Sequence, residues 1–143
     1  MTRPSRKTLA DAAYATLRFM VGWNFATHGA QKLFHVLAMP GMPPIPLTPK
    51  NLTAGIIEFC GGLLVALGLF TTPAAFLASG EMAVAYFTVH AKQGFWPILN
   101  NGEKAMLYCF ILLFIAAYGD GAFSIRSLFA SRGGLASDQS GYE

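Results

Sequence analysis

The chain has 143 residues, of which 54% are hydrophobic and 12% are charged, and this charged fraction is roughly half the ~25% of an ordinary soluble domain. The composition predicts a single membrane-embedded domain and excludes a separate soluble one. The 10 Lys and Arg residues outnumber the 7 Asp and Glu residues. Because the surplus lies mostly in the termini and loops, we expect the lipid bilayer and not nucleic acid as the partner.

The first predicted helix covers residues 9–34 and is the most polar of the apolar segments. At ~100° per residue, several large and polar side chains of this helix fall on one face. That face should contact other helices, because exposing polar groups to lipid is costly. The face contains Tyr14, Arg18, Val21, Phe25, His28 and Lys32. Basic residues precede the segment, yet it is too long for a signal peptide and lacks a small-residue cleavage site, so we expect a retained helix.

Residues 35–50 form a proline-rich, apolar loop that cannot be a regular helix or a central strand. Such a loop either covers the mouth of a helical bundle as a lid or rests at the lipid interface as a linker. Its prolines and methionines are Met39, Pro40, Met42, Pro43, Pro44, Pro46 and Pro49.

The second predicted helix, residues 51–70, is apolar enough to cross a bilayer but contains Glu58. About 20 residues at ~1.5 Å rise span the ~30 Å hydrocarbon core, and an unpartnered charge within it costs at least ~2.5 kcal/mol. Glu58 is therefore either a functional carboxylate or half of a structural ion pair. Estimated depths make Arg18 its expected partner, with Glu81 as a competitor for that arginine.

The third and fourth helices are predicted at residues 73–91 and 102–118, with a loop between them that carries Phe95 and Trp96. Such aromatic residues are typical of a membrane interface. A polar tail, residues 124–143, follows the last helix. We expect both cysteines to be small buried thiols, because they lie in apolar segments and form no CxxC pair.

Four apolar segments predict an all-α, integral membrane, antiparallel four-helix bundle. Small residues on the second and third helices favour close helix contact. Five basic residues flank the terminal side and four the opposite side, so the clustered basic N-terminus favours cytoplasmic termini in a bacterial inner membrane.

Antiparallel threading brings several polar side chains to one end of the bundle, where we expect a polar chamber. Candidate proton-handling residues are Glu58, His28 and His90, and candidate substrate-binding residues are Arg18, Lys32, Trp96 and Glu103. The alternatives are structural: snorkelling lysines, a helix-start carboxylate at Glu103, and hydrogen-bonding histidines. Two histidines without a third ligand do not predict a metal site.

The spacing of these residues resembles the DoxX-like membrane proteins over residues 14–126. The motif-bearing residues are Gly55-x-x-Glu58-x-x-Gly61-Gly62 with Gly68, His28-Gly29-x-x-Lys32-Leu33, Arg18, Met82, His90 and Gly119-x-Gly121. One departure is the Ile125-Arg126 pair after Ser124, where relatives often have an acidic residue.

The resemblance implies a four-helix inner-membrane protein, with some relatives linked to thiosulfate:quinone oxidoreduction and others to redox-stress or detoxification partners. It leads us to expect a partner-dependent redox subunit that takes a quinone or another small hydrophobic ligand and works with a membrane or periplasmic protein. No cofactor motif is present, so electrons would come from that partner. The alternative is a non-catalytic assembly or anchoring subunit, and a small transporter or proton path is a weaker third.

Overall fold

The computed structural model describes residues 4–37, 41 and 43–129, and within these ranges it contains helices and connecting segments but no strand. The predicted all-α class is confirmed for this part of the chain. The main helices are α1 (Arg6–Phe34), α2 (Pro49–Leu67), α3 (Thr71–Ala85) and α4 (Glu103–Tyr118). A further helical turn at residues 125–129 begins the predicted polar tail, of which residues 130–143 lie outside the described ranges.

Helix α1 begins at Arg6, earlier than the predicted start at Leu9, because Ser5 caps its N-terminus. The Ser5 hydroxyl oxygen accepts a hydrogen bond from the Thr8 N–H at 3.1 Å, which satisfies one of the helix's unpaired donors. The helix ends at Phe34, where His35 adopts a left-handed conformation with φ 55°. Of the proline-rich loop that follows, Met39, Pro40 and Met42 lie outside the described residues.

Helix α2 is one continuous helix made of three parts: α-helical Pro49–Ile56, π-helical Ile57–Gly61 and α-helical Gly62–Leu67. Thr48 caps its N-terminus and Pro49 occupies the first turn, where a missing N–H costs nothing. The helix ends at Leu67, before the predicted Phe70.

The early end of α2 has a clear cause in the backbone. Gly68 adopts φ 70°, its N–H donates to Val65 O at 3.2 Å, and the Leu69 N–H donates to Leu64 O at 3.0 Å. This pair of bonds is a Schellman motif, which terminates an α-helix.

Helix α3 starts at Thr71, before the predicted Pro73, and continues into a π-helical turn at Tyr86–His90 and a 3₁₀ turn at Ala91–Gln93. Helix α4 starts at Glu103. Among the described residues, one helix, Pro49–Leu67, is long and apolar enough to cross a membrane.

Helices α1 and α2 pack antiparallel with their backbones in contact. A Cβ added to Gly22 would lie 2.6 Å from Gly62 O, and one added to Gly29 would lie 2.7 Å from Gly55 O. The two glycine pairs have the same spacing along their helices, so they meet in antiparallel order. Small residues thus allow the close approach that the sequence predicted for α2.

Helices α3 and α4 form the second close pair. Ser79, at a predicted small-residue position, donates its hydroxyl to Cys109 O at 2.8 Å. Tyr14 ties α1 to the end of α4 by donating to Gly119 O at 2.5 Å. Side chains with no exposed surface in the core are Val65, Ala75, Ala78, Leu112 and Ile115.

A buried ion pair, two carboxyls and two cavities

The most buried charge contact in the described structure joins α1 to α2. Lys32 Nζ donates to Glu58 Oε1 at 2.5 Å, and the Glu58 side chain is 3% exposed against 23% for that of Lys32. Glu58 Oε2 is also buried but has no hydrogen-bond partner among the described residues. The site therefore has one satisfied and one unsatisfied carboxylate oxygen.

The local backbone explains how Glu58 comes to this position. It lies in the π-helical turn Ile57–Gly61, and π-helical turns inside α-helices occur frequently at functional sites. Lys32 lies on α1, and its side chain passes close to Gly55 of α2. A Cβ added to Gly55 would lie 3.2 Å from Lys32 Cβ. The glycine contact thus leaves room for the lysine to reach the carboxylate.

The predicted pairing of Arg18 with Glu58 is wrong. The Arg18 guanidinium donates to three backbone carbonyls: Nη1 to Val65 O at 2.8 Å and to Ala66 O at 3.1 Å, and Nη2 to Phe123 O at 2.6 Å. Arg18 is 3% exposed and binds the last carbonyls of α2, where a cation is favoured by the helix dipole.

The error came from assuming that the start of α1 and the end of α2 lie at the same level. In the structure a Cβ on Gly68, just after α2, would lie 2.4 Å from Arg18 Nη1, so Arg18 is level with that end. Helix α1 starts at Arg6, and this start lies about 18 Å along the helix axis from Arg18 at ~1.5 Å per residue. It therefore extends well beyond the end of α2. Lys32, and not Arg18, is therefore within reach of Glu58.

Glu81 of α3 is a second carboxyl group close to this pair. Its Oε2 is buried and has no hydrogen-bond partner among the described residues, and the charged groups that act on it are Glu58, Lys32 and Lys50. From the sequence, Glu81 was expected to compete for Arg18 and to lie on the face of the third helix opposite His90. In the structure, Glu58, Glu81 and Lys32 form a group of interacting ionisable side chains, with Lys50 as the second cation near Glu81.

Glu81 also lines a cavity of about 770 Å³ between α2 and α3. The lining is mostly apolar, with Lys50 at the first turn of α2, where its Nζ donates to Thr88 Oγ1 at 3.1 Å. Large apolar clefts with a few polar groups are the usual form of small-molecule sites. The other lining residues are Pro49, Thr53, Ala54, Ile57, Phe76, Leu77, Gly80, Val84 and Ala85.

His28 lies on the Lys32 side of α1. Its ring is exposed and meets the edge of Tyr108 with centroids 6.1 Å apart. The charged groups that act on it are Lys32 and Lys104. His28 therefore belongs to the neighbourhood of the ion pair without hydrogen-bonding to it.

His90 lies in a different group. Its Nδ1 is 3.0 Å from Asn100 O, and its ring stacks on Tyr86 with centroids 6.4 Å apart. Trp96 and Glu103 line a second cavity, of about 520 Å³, on this side of the molecule. The structure thus brings Lys32 and Glu58 together, and Trp96 and Glu103 together, where the sequence predicted one chamber.

Asn100 is a structural residue that the sequence analysis missed. It has no exposed surface, its Nδ2 donates to Gly94 O at 2.6 Å, and its Oδ1 accepts from the Gly102 N–H at 2.8 Å. The Asn–Asn–Gly run before α4 was the available signal, since Asn side chains commonly bond to nearby backbone in turns.

The cysteines differ from expectation. Cys60 is exposed and Cys109 is half-buried, and both are free thiols. Within the described ranges no group of three or more His, Cys, Asp or Glu side chains could hold a metal ion.

Comparison with known proteins gives a family but no function. The family model named DoxX matches residues 13–91. A Haemophilus influenzae protein named "Uncharacterized protein" is 42% identical over 119 residues, which cover 80% of this chain and 89% of that relative. No solved structure matches the chain. The resemblance predicted from the motifs is therefore confirmed.

Proposed function

This chain belongs to the DoxX family, and on that premise we propose that it is a multi-pass protein of the bacterial inner membrane. In this proposal its four helical stretches form an antiparallel four-helix bundle in the bilayer. The protein serves as a partner-dependent subunit in quinone-linked redox chemistry.

The surface of the described helices supports the membrane location. Large apolar side chains point outward along several helices, and contiguous apolar surface of this kind is rare on soluble monomers. Lipid would cover it without cost. Examples on α1, on α3 and the π-helical turn that follows it, and on α4 are Phe19, Met20, Trp23, Phe76, Leu77, Val84, Phe87, Leu107, Phe110 and Phe114.

The basic N-terminus supports cytoplasmic termini through the positive-inside rule. A reporter fused after the last residue tests this orientation. Cytoplasmic reporter activity is the expected result, and periplasmic activity would reverse the orientation.

The observation that carries the functional proposal is the Lys32–Glu58 pair with its unsatisfied carboxylate oxygen. A charge inside a membrane is costly and usually marks a functional site. Glu58 Oε2 and Glu81 Oε2 are buried without hydrogen-bond partners among the described residues. Because an unpaired buried polar atom costs about 1–3 kcal/mol, a ligand or proton that satisfied them would be stabilised there. Both atoms are suited to accept or release a proton.

The α2–α3 cavity provides space for the ligand. A quinone has a flat apolar body and two carbonyl oxygens, which match an apolar cavity with a carboxyl and an ammonium group. Reduction of a quinone to a quinol takes two electrons and two protons. In this proposal a partner protein supplies the two electrons. Glu81, which lines the cavity, passes two protons to the carbonyl oxygens one after the other, each drawn from water by way of the Lys32–Glu58 pair.

The predicted site residues on α1 have different roles in this proposal. Lys32 holds Glu58 in place, where the charge of Glu58 acts on Glu81 of the cavity wall. Arg18, whose guanidinium is engaged by backbone carbonyls, has an anchoring role. His28, on which the charge of Lys32 acts, is the candidate that would pass protons between the ion pair and water.

A second candidate function is that of a non-catalytic assembly subunit. It is favoured by the backbone contact of α1 with α2, since glycine contacts and one ion pair together would fix helix register without chemistry. Purification from native membranes separates the two functions. A co-purified quinone together with a redox partner supports the first, and a stable protein partner without any lipid-soluble ligand supports the second.

A further inference from the structure

The second cavity, of about 520 Å³, lies at the junction of α3, α4 and the loop that connects them. Most of its wall is aromatic or aliphatic, and the proposed quinone chemistry does not use it. The lining residues are Ala83, Tyr86, Phe87, Phe95, Trp96, Pro97, Ile98, Glu103, Met106, Cys109 and Phe110.

The loop that forms one wall is held by a network of hydrogen bonds. Asn100 bridges Gly94 and Gly102, and the Tyr86 hydroxyl donates to Phe95 O. His90 fixes the same loop through Asn100 O. These bonds hold the wall in place before any ligand arrives, which reduces the entropy lost on binding.

Four aromatic rings of the lining pack edge to face in two pairs. The Phe95 and Trp96 rings meet at 77° with centroids 5.7 Å apart, and those of Tyr86 and Phe87 meet at 82° with centroids 5.4 Å apart. Trp96 is 65% exposed, so its ring has free surface. An aromatic face attracts a cation through its quadrupole, and Trp does so most strongly.

Glu103 is the only charged residue in this lining. In the described part of the chain its carboxylate has neither an ion pair nor a hydrogen bond. The cavity therefore combines apolar walls, aromatic faces and a free negative charge, with no positive charge of its own. A neutral ligand would leave the carboxylate unused, and an anion would be repelled by it.

We propose that this cavity binds lipophilic organic cations, with the charge held between Glu103 and the Trp96 ring and the apolar groups against Phe87, Phe95 and Phe110. Charge complementarity and cation–π attraction supply the selectivity for cations. The site is separate from the Glu81 cavity, and so the proposal does not depend on quinone binding.

Two ions of the same shape and opposite charge test the proposal: tetraphenylphosphonium and tetraphenylborate. The full chain has two tryptophans and is purified in detergent as a Trp23→Phe variant, so that Trp96 is the only one that remains. Quenching of its fluorescence is measured against each ion. The cation should bind at least about tenfold more tightly than the anion, a preference that corresponds to one charge contact.

Glu103→Gln should remove most of this preference, and Glu103→Asp should retain it. Asp11→Asn is the matched control, because it removes the same charge from an exposed pair with Lys7 at the other end of the molecule, and it should leave the preference unchanged. The proposal would be overturned if the two ions bound equally well, or if Glu103→Gln kept the preference for the cation. It would also be overturned if Glu81→Gln, and not Glu103→Gln, removed that preference.

Discussion

Lys32 Nζ lies 2.5 Å from Glu58 Oε1, while the second oxygen of Glu58 has no hydrogen-bond partner among the described residues. This pair links α1 to α2 at the point where α2 widens into a π-helical turn. The contact predicts strong energetic coupling between the two side chains and none between Glu58 and Arg18.

A double-mutant cycle tests that coupling. Lys32→Met or Glu58→Gln alone should lower the free energy of unfolding by up to about 3–5 kcal/mol, because each leaves a buried group unpaired, and the double variant should lose less than the sum. Unfolding in mixed detergent micelles is the measurement.

The matched cycle pairs Glu58→Gln with Arg18→Met. Arg18 contacts carbonyls near the end of α2 and shares no partner with Glu58, so these losses should add to within about 0.5 kcal/mol. Coupling in the Arg18 cycle and additivity in the Lys32 cycle would restore the pairing that the sequence predicted.

Two glycines of similar helical context should respond in opposite ways to alanine. A Cβ on Gly22 would lie 2.4 Å from Ala66 N, whereas one on Gly80 would meet nothing within 4 Å. Gly22→Ala should therefore cost about 1–3 kcal/mol through overpacking, and Gly80→Ala should be neutral or stabilising by up to about 1 kcal/mol. Equal effects in thermal melts would mean that α1 and α2 do not pack through their backbones.

The glycine contacts also show what the sequence could have revealed. Gly22 and Gly29 on α1 have the same spacing as Gly55 and Gly62 on α2, and antiparallel pairing of these sets is what the structure contains. Had that spacing set the register, Lys32 would have been placed near Glu58. Depth counted from helix ends failed because helix ends do not share one level.

Other features could not be predicted from residue patterns. The π-helical turns around Glu58 and His90 depend on how neighbouring helices pack, and periodicity does not report a single widened turn. The role of Asn100 rests on side-chain bonds to backbone within a loop. The main helices of the described residues could be predicted because the apolar length of a segment is visible in the sequence, and Glu58 could be singled out because it is the one carboxylate within the second apolar segment.

Asp120 joins the turn after α4 to the start of α3 and should make stability sensitive to acid. Its Oδ1 accepts from the Thr71 N–H at 3.1 Å, and its Oδ2 lies 2.9 Å from Arg126 Nη1. Burial acts to raise the pKa of Asp120, but hydrogen bonding by Thr71 and pairing with Arg126 outweigh it and lower the pKa below the ordinary 3.8.

Because the folded-state pKa is depressed, the stabilisation by Asp120 is fully present above pH 3.8 and is lost as the pH falls through the lower, folded value. Asp120→Asn should therefore be less stable than wild type at pH 7, by about 0.5–2 kcal/mol for a lost cap, and should lose less stability on acidification. Asp11→Asn serves as the control. Parallel acid profiles for wild type and Asp120→Asn would contradict this role.

Ligand binding at the α2–α3 cavity is the central claim, and thermal stability measured with a soluble quinone analogue tests it most directly. At a hundredfold excess over its Kd, a bound ligand stabilises the folded state by about 2.7 kcal/mol. We expect a raised Tm for wild type, a much smaller shift for Glu81→Gln and for Lys50→Ala, the two charged residues of the cavity lining, and an unchanged shift for Asp11→Asn. A saturating analogue that leaves the wild-type Tm unchanged, or that raises it equally in Glu81→Gln, would contradict the account.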